Sequence, residues 1–201
     1  MPPPQVISRQ QRTTWTHSLS GYPRRFHFFR ASLLSPSPML LLLNRHANAG
    51  ERDPAQWPDD RDRPLTDKGR KVQRDVSRAL RKLDLTPSLV LTSPWLRAAQ
   101  TAEILVEVAR VARPAVPCEP LADDPDLIRL AEHVGEQTAD AIVALVGHSP
   151  WMEELASLLL AGSTNHLRMD FPKSGVIGID LATLEPGAGE LRFFLRPKMA
   201  R

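Results

Sequence analysis

Short apolar runs divide the chain after residue 38. Leu40–Leu43, Leu89–Leu91 and Ile142–Val146 are apolar at every position, which is typical of strands that are buried on both faces of a sheet. Two further strand-like runs, Val176–Leu181 and Leu191–Leu195, are separated by a Pro-Gly pair that is typical of a turn. The pattern therefore predicts three central strands followed by two closing strands.

Segments with a helical period fill the intervals between these runs. The first follows Thr66, which we interpret as an N-cap, and its apolar side chains fall on one face: Val72, Val76, Ala79, Leu80 and Leu83. Three more segments follow the same period, near residues 98–109, 127–134 and 152–159. Because strands that alternate with helices indicate an α/β fold, we predict a three-layer α/β/α sandwich with a mostly parallel central sheet.

Residues 1–38 lack any such period and differ in composition. They carry five Arg and no Asp or Glu, and they are punctuated by proline at both ends. We interpret them as a disordered basic arm, since they bury too little apolar surface to offset the entropy lost on ordering. A translation start at Met39 and an organellar targeting segment are alternatives. A secretory signal cleaved at Ala47-Asn48-Ala49 is disfavoured, because Arg30 closely flanks its apolar stretch and Ser35 to Pro38 interrupt that stretch.

Length and charge narrow the class of protein. The 201 residues allow one domain, which we place at residues 39–201 and expect in the cytoplasm. No apolar run reaches the roughly 20 residues that cross a bilayer, and the single Cys118 excludes an internal disulfide. The net charge is +3, but the arm carries +5 and residues 39–201 carry −2. We therefore expect neither a nucleic-acid partner nor a membrane partner.

Polar side chains that core packing does not require follow three of the predicted strands. Arg45 and His46 end the first, Arg97 lies in the helix after the second, and His148 follows the third. Parallel strands place their carboxyl ends at one edge of a sheet, so these side chains should meet there. Guanidiniums bind phosphoryl oxygens, one imidazole can attack phosphorus, and a second can stabilise the transition state. These residue types therefore suit metal-free phosphoryl transfer.

Four motifs carry a resemblance to a known family. They are Leu41–Ala49 (LLLNRHANA), Arg63–Gly69 (RPLTDKG), Ser93–Ala102 (SPWLRAAQTA) and Val146–Pro150 (VGHSP). In this order they resemble the histidine phosphatase superfamily, and its branch of SixA-like phosphohistidine phosphatases most closely. The resemblance implies a phosphoglycerate-mutase-like fold in which His46 is the nucleophile. It also implies a phosphate pocket lined by Arg45, Arg97 and His148.

Departures from the mutase-like branch favour the SixA-like one. The mutase-like branch follows its Arg-His pair with Gly and a nearby Ser/Asn pair, whereas residues 47–49 here are Ala-Asn-Ala. That branch also carries long insertions, and residues 39–201 leave little length for a lid. An open site suits a phosphorylated protein side chain better than a small metabolite. We therefore expect the substrate to be phosphohistidine in a signalling or phosphotransfer protein.

The sequence does not decide which residue donates a proton to the leaving group. Asp123 and Asp124 lie in the loop before the third helix, where the acid of the family would fall, but such residues are also common at helix starts. We expect Arg63 to hold its own loop rather than to bind phosphate. Lys173 is either a surface charge or an attractor of anionic substrates.

Other functions compete with this one. The same pocket would serve a phosphomonoesterase for small phosphoesters, or a phosphate-binding module without catalysis. A metallohydrolase would need ligand spacings such as H-x-D or H-E-x-x-H, which the sequence lacks. The leading hypothesis is an enzyme without metal or cofactor, a hydrolase that removes phosphate through a phosphohistidine intermediate on His46.

Overall fold

Six strands form the central sheet of the computed structural model, in the order β3-β2-β4-β1-β5-β6. The structure describes residues 38–122, 126–135 and 140–200. The strands are β1 (Met39–Arg45), β2 (Leu89–Thr92), β3 (Val116–Pro117), β4 (Ile142–Gly147), β5 (Val176–Leu181) and β6 (Gly189–Leu195). The helices are α1 (Asp67–Lys82), α2 (Leu96–Ala109), α3 (Leu127–Val134) and α4 (Trp151–Ala161), with short 3-10 turns at Asp60–Asp62, Glu119–Leu121 and Pro197–Met199. The basic arm predicted for residues 1–38 lies outside the described residues, except for Pro38.

Four neighbouring strands run parallel to one another. β1 pairs with β4, β4 with β2, and β2 with β3, all in parallel register. β5 then pairs antiparallel with β1, and β6 pairs antiparallel with β5. The prediction of a mostly parallel sheet is confirmed. The apolar pattern does not predict β3, because this two-residue edge strand contains Pro117, and proline is tolerated only at a sheet edge.

Helices cover both faces of the sheet. Leu41 and Leu43 belong to a buried cluster with α3 and α4, whereas Leu40 and Leu42 belong to a second cluster with α1 and α2. Successive side chains of a strand point to opposite faces, so both faces of β1 are buried and every position of its run is apolar. The predicted three-layer sandwich is confirmed. None of the helices in the described ranges is long and apolar enough to cross a membrane.

The buried face of α1 differs from the predicted one. Val76 and Leu80 are buried as expected, but Leu83 is 59% exposed where the helix ends. Gln73 is buried on the helix instead, and its Nε2 donates to Oδ1 of Asn44 at 2.9 Å. The amide nitrogen of this buried side chain is hydrogen-bonded, and an apolar period cannot reveal such a position. The contact ties α1 to the carboxyl end of β1.

The start of α1 packs against the loop that follows β1. Thr66 is the N-cap, as predicted: its Oγ1 accepts from the Gly69 amide at 3.0 Å. The same hydroxyl donates to the Asn48 carbonyl oxygen at 3.1 Å. A side chain at position 69 would collide with the backbone of Asn48, so only glycine allows this approach. These contacts join the second motif of the sequence to the first.

Candidate active site

The parallel pairing of β1 and β4 brings two distant histidines together. Arg45 lies opposite Gly147 in the register, and the amide of His46 donates to the Gly147 carbonyl at 2.9 Å. The rings of His46 and His148 follow directly, with centroids 5.1 Å apart. The expectation that these strand ends meet at one edge of the sheet is confirmed by the register.

The ring of His46 has a defined tautomer. Its Nδ1 lies 2.7 Å from the Ala47 carbonyl oxygen, which only accepts, so Nδ1 carries the proton and Nε2 keeps its lone pair. The Ala47 amide in turn donates to Oγ1 of Thr101 at 3.0 Å, which fixes this turn against α2. Burial of the ring, and then the neighbouring His148, lower the pKa of His46 to about 2. His46 is therefore a neutral imidazole with one free basic nitrogen.

His148 is held by a side chain from the end of β2. Its Nε2 lies 2.8 Å from Oγ of Ser93, and Trp95 packs against the ring with centroids 4.6 Å apart. Burial, and then the positive charge of Arg97, lower the pKa of His148 to about 3. Its Nδ1 is buried and has no hydrogen-bond partner among the described residues.

These two neutral histidines predict a loss of stability in acid. Both would protonate near pH 6.5 in the unfolded chain, but they resist protonation in the fold down to about pH 2 for His46 and about pH 3 for His148. Protons therefore bind preferentially to the unfolded chain below pH 6.5, and the free energy of unfolding falls as pH drops. Between its pKa in the unfolded chain and its pKa in the fold, each histidine lowers the free energy of unfolding by about 1.4 kcal/mol for every pH unit of acidification. Urea unfolding between about pH 4 and pH 7 measures this slope.

Variants show whether the slope comes from the site. His46→Gln or His148→Gln should reduce the slope by one histidine's share, whereas His133→Gln, at an exposed position of α3, should leave it unchanged. An unaltered slope in both site variants would contradict the view that these rings are held neutral.

Arg97 projects from the first turn of α2 and is 5% exposed. Its Nη1 donates to the Asp60 carbonyl oxygen at 2.8 Å, and its Nη2 lies 3.2 Å from Oδ2 of the same residue. The guanidinium also lies 4.5 Å from the centre of the Trp95 ring. Burial lowers the pKa of Arg97 to about 10, so the side chain stays cationic at neutral pH. Its Nε is buried without a partner among the described residues.

Arg45 is anchored by the segment before β5 and by α4. Its Nη1 donates to the Phe171 carbonyl oxygen at 2.6 Å and lies 3.9 Å from Oε1 of Glu153. The same Glu153 oxygen accepts from Oγ of Ser149 at 2.6 Å. The Nε of Arg45 is also buried without a partner in the described part of the chain.

Asp60 is a site residue that the sequence analysis does not single out. It lies in a charged loop, where alternating Asp and Arg predict only a solvated segment. Besides binding Arg97, Asp60 accepts from Nε of Arg63 at 2.8 Å, and this hydrogen bond is the main reason why its pKa is lowered. Arg63 also donates to the Gly50 carbonyl at 2.8 Å. These contacts agree with the expectation that Arg63 holds its loop.

A cavity of about 320 Å³ opens beside the two histidines. From the predicted set it is lined by His46, Arg97 and His148, but not by Arg45. The other lining residues are Trp95, Ala122, Ser149, Pro150, Trp151 and Glu154. Asp123 and Asp124, the two predicted acids, lie outside the described residues and follow directly on Ala122.

Lys173 and Cys118 do not line this cavity. Lys173 donates to Oδ1 of Asn48 at 3.0 Å, and its pKa is lowered by burial and then by the charge of Arg45. Cys118 is buried, and burial raises the pKa of its thiol to about 11, so it stays protonated. Within the described ranges, no group of three or more His, Cys, Asp or Glu side chains could hold a metal ion.

The unpaired nitrogens define what the site can bind. Nε of Arg45, Nε of Arg97 and Nδ1 of His148 are all buried without partners among the described residues. Buried donors are nearly always hydrogen-bonded, so two guanidinium N–H groups without described partners, together with a cavity lined by His46, Arg97 and His148, indicate a ligand with several acceptor oxygens. A tetrahedral oxyanion such as a phosphoryl group meets this requirement.

Comparisons with known proteins agree with this chemistry. The sequence profile of the histidine phosphatase superfamily (branch 1) matches residues 41–122. An uncharacterized protein of Picosynechococcus sp. is 38% identical over 143 residues, which cover 70% of this chain and 84% of that protein.

Solved structures share the fold over most of the chain. The protein histidine phosphatase SixA complexed with tungstate has a TM-score of 0.68 at 24% identity, covering 81% of this chain and 100% of that one. The SixA protein of Agrobacterium tumefaciens has a TM-score of 0.65 at 25% identity, with 80% and 99% covered. A phosphoglycerate mutase of Bacillus anthracis has a TM-score of 0.59 at 12% identity, with 83% and 96% covered.

Proposed function

Because this chain belongs to the histidine phosphatase superfamily and is a phosphatase, we propose that it works without a metal, through a phosphohistidine intermediate on His46. We further propose that its substrate is phosphohistidine in a protein of a signalling or phosphotransfer system in the cytoplasm. Family membership supports the class of reaction, which is phosphate hydrolysis, and the geometry of the site supports the mechanism.

One observation carries the proposed mechanism. The Nδ1 proton of His46 is held by the Ala47 carbonyl, so the lone pair of Nε2 is free, and the same cavity is lined by Arg97 and His148, which carry buried nitrogens without partners among the described residues. A phosphoryl group bound by these nitrogens would present its phosphorus to an unprotonated nucleophile. A neutral imidazole is the form that can attack, and the low pKa of His46 keeps it in that form at neutral pH.

The reaction then has two displacement steps. Nε2 of His46 forms a bond to phosphorus while the bond to the leaving group breaks, and the leaving atom takes the electron pair. A water molecule next attacks the phosphorus of phosphorylated His46, loses a proton and releases inorganic phosphate, which restores the free imidazole. Arg45, Arg97 and His148 would hold the three peripheral oxygens, whose charge redistributes in both transition states.

The substrate is the finer part of the proposal. A shared fold alone does not select it, since a phosphoglycerate mutase has a similar structure. The likeness to the SixA protein of Agrobacterium tumefaciens, at 25% identity, supports phosphohistidine. A small-molecule phosphomonoesterase is the alternative, because the cavity of about 320 Å³ also accommodates a small phosphoester.

A panel of substrates in excess EDTA tests the proposal. We expect the wild-type protein to hydrolyse a phosphohistidine-bearing phosphotransfer protein in EDTA, with a higher kcat/KM than for a sugar phosphate or a nucleotide. Efficient and saturable turnover of a small phosphoester would instead favour the alternative. Phosphate binding by a folded protein that turns over none of these substrates would show a binding module without catalysis.

The two predicted acids can be tested on esters with poor leaving groups. An alkoxide must be protonated as it departs, whereas p-nitrophenolate leaves without help. If Asp123 or Asp124 is the donor, Asp123→Asn or Asp124→Asn should slow hydrolysis of an alkyl phosphate by about 100-fold and leave p-nitrophenyl phosphate nearly unaffected. Full rates on the alkyl phosphate in both variants would exclude both carboxyl groups as the acid.

A further inference from the structure

One wall of the candidate active site carries a carboxylate that the proposed chemistry does not use. Glu154 lies in the first turn of α4, is half-buried and lines the cavity beside His46 and His148. Among the described lining residues it is the one carboxylate. Its side chain makes no hydrogen bond or ion pair with another described residue, whereas the neighbouring Glu153 is bound to Ser149 and lies near Arg45.

An unpaired carboxylate weakens the binding of phosphate in the cavity that it lines. A negative charge there repels the phosphoryl group and is worth keeping only if it meets a donor or a positive charge on the substrate. The phosphoryl group itself offers acceptor oxygens to Arg97 and the histidines. A substrate group in contact with Glu154 would therefore belong to the other half of the substrate, the leaving group.

We propose that Glu154 accepts a hydrogen bond from the distal ring nitrogen of a phosphohistidine substrate and so selects a protonated imidazole as the leaving group. This inference rests on the proposed function, since it assumes transfer of the phosphoryl group to His46. Among phosphorylated side chains, serine, threonine and aspartate leave through oxygen and carry no N–H at this place. An imidazole carries one and is planar, which suits a wall that also contains Ala122, Pro150 and Trp151.

The electron balance explains why this contact speeds the reaction. When His46 attacks, the P–N bond of the substrate breaks and its electron pair stays on the proximal ring nitrogen. With a proton on the distal nitrogen, the ring departs as neutral imidazole, which is a good leaving group. Without that proton it would depart as an anion. A carboxylate at the distal nitrogen stabilises the protonated form, so no acid is needed at the breaking bond.

The test compares two substrates that differ only in what leaves. We expect Glu154→Gln to lower kcat/KM for free phosphohistidine by about 10- to 100-fold, the range of a hydrogen bond to a charged group. For p-nitrophenyl phosphate, whose leaving group has no N–H to donate, the same variant should be as fast as wild type or slightly faster, because a repulsive charge is gone. Glu154→Asp keeps the charge and should recover part of the phosphohistidine rate.

A matched control and the second substrate distinguish failure of the Glu154 inference from failure of the proposed function. Glu107→Gln, the same change at an exposed position of α2, should leave both rates unchanged. If Glu154→Gln slows both substrates equally, or leaves the phosphohistidine rate intact, the inference is wrong while the proposed function stands. If wild type hydrolyses p-nitrophenyl phosphate but neither free phosphohistidine nor a phosphohistidine-bearing protein, the proposed substrate is wrong and this role of Glu154 is overturned with it.

Discussion

Replacing His46 with alanine should lower the rate of phosphohistidine hydrolysis by at least about 1,000-fold and leave the fold intact. The large effect is expected because no other described side chain at the site combines a free, unprotonated nitrogen with the adjacent phosphate donors. The fold should survive because, among the described residues, the neutral ring makes one hydrogen bond, to the Ala47 carbonyl. We would measure phosphate release from a phosphohistidine-bearing protein in excess EDTA, together with circular dichroism spectra of both proteins.

The covalent intermediate gives a second readout. Brief incubation of wild type with a radiolabelled substrate should label the protein in an acid-labile, base-stable form that the His46→Ala protein lacks. His166→Ala, at an exposed position after α4, serves as the matched control and should keep both activity and labelling. Turnover at the wild-type rate by His46→Ala would show that the nucleophile is another group.

Replacing Arg97 with alanine should lower kcat/KM by about 100- to 1,000-fold, the cost of losing one well-placed donor to a transition state. It should also weaken inhibition by inorganic phosphate, because the buried guanidinium would hold the oxygens in the ground state and in the transition state alike. Asp60 would keep its bond to Arg63 and would not be left unpaired, so the fold should remain. Steady-state kinetics with phosphate as inhibitor measure both effects.

Two variants sharpen the test of Arg97. Arg97→Lys keeps the charge but loses the planar fork that contacts Asp60 twice, so its rate should lie between those of wild type and Arg97→Ala. Arg78→Ala removes an exposed arginine of α1 and should change neither rate nor inhibition. Undiminished phosphate inhibition in Arg97→Ala would contradict a role of this side chain in binding the phosphoryl group.

The strands and the strand ends are the parts of this protein that a one-dimensional pattern predicts well. The apolar runs at residues 40–43, 89–91 and 142–146 become β1, β2 and β4, since burial on both faces leaves no polar position. The polar residues that follow them need only a parallel register to meet, and the register of Arg45 with Gly147 provides it.

The pattern does not predict which residues of α1 are buried. It also does not predict the contacts of the acidic residues at the site. Gln73 is buried because Asn44 binds it from 29 residues away, and no local period encodes such a pair. Asp60 reaches Arg97 across 37 residues through a loop whose composition indicates only exposure to solvent. Glu154 lies one residue from Glu153 on the same helix turn, yet the two carboxylates have different surroundings.

The difference between these two groups of features has one physical cause. Burial is an average property of a segment, so the order of apolar and polar residues suffices to establish the strands, the helices and the edge of the sheet where Arg45, His46, Arg97 and His148 gather. A hydrogen bond depends on the distance and angle between two atoms of separate elements. The tautomer of His46, the Asp60 contact with Arg97 and the open carboxylate of Glu154 therefore follow from the packed arrangement of loops and helices, which the linear pattern does not contain.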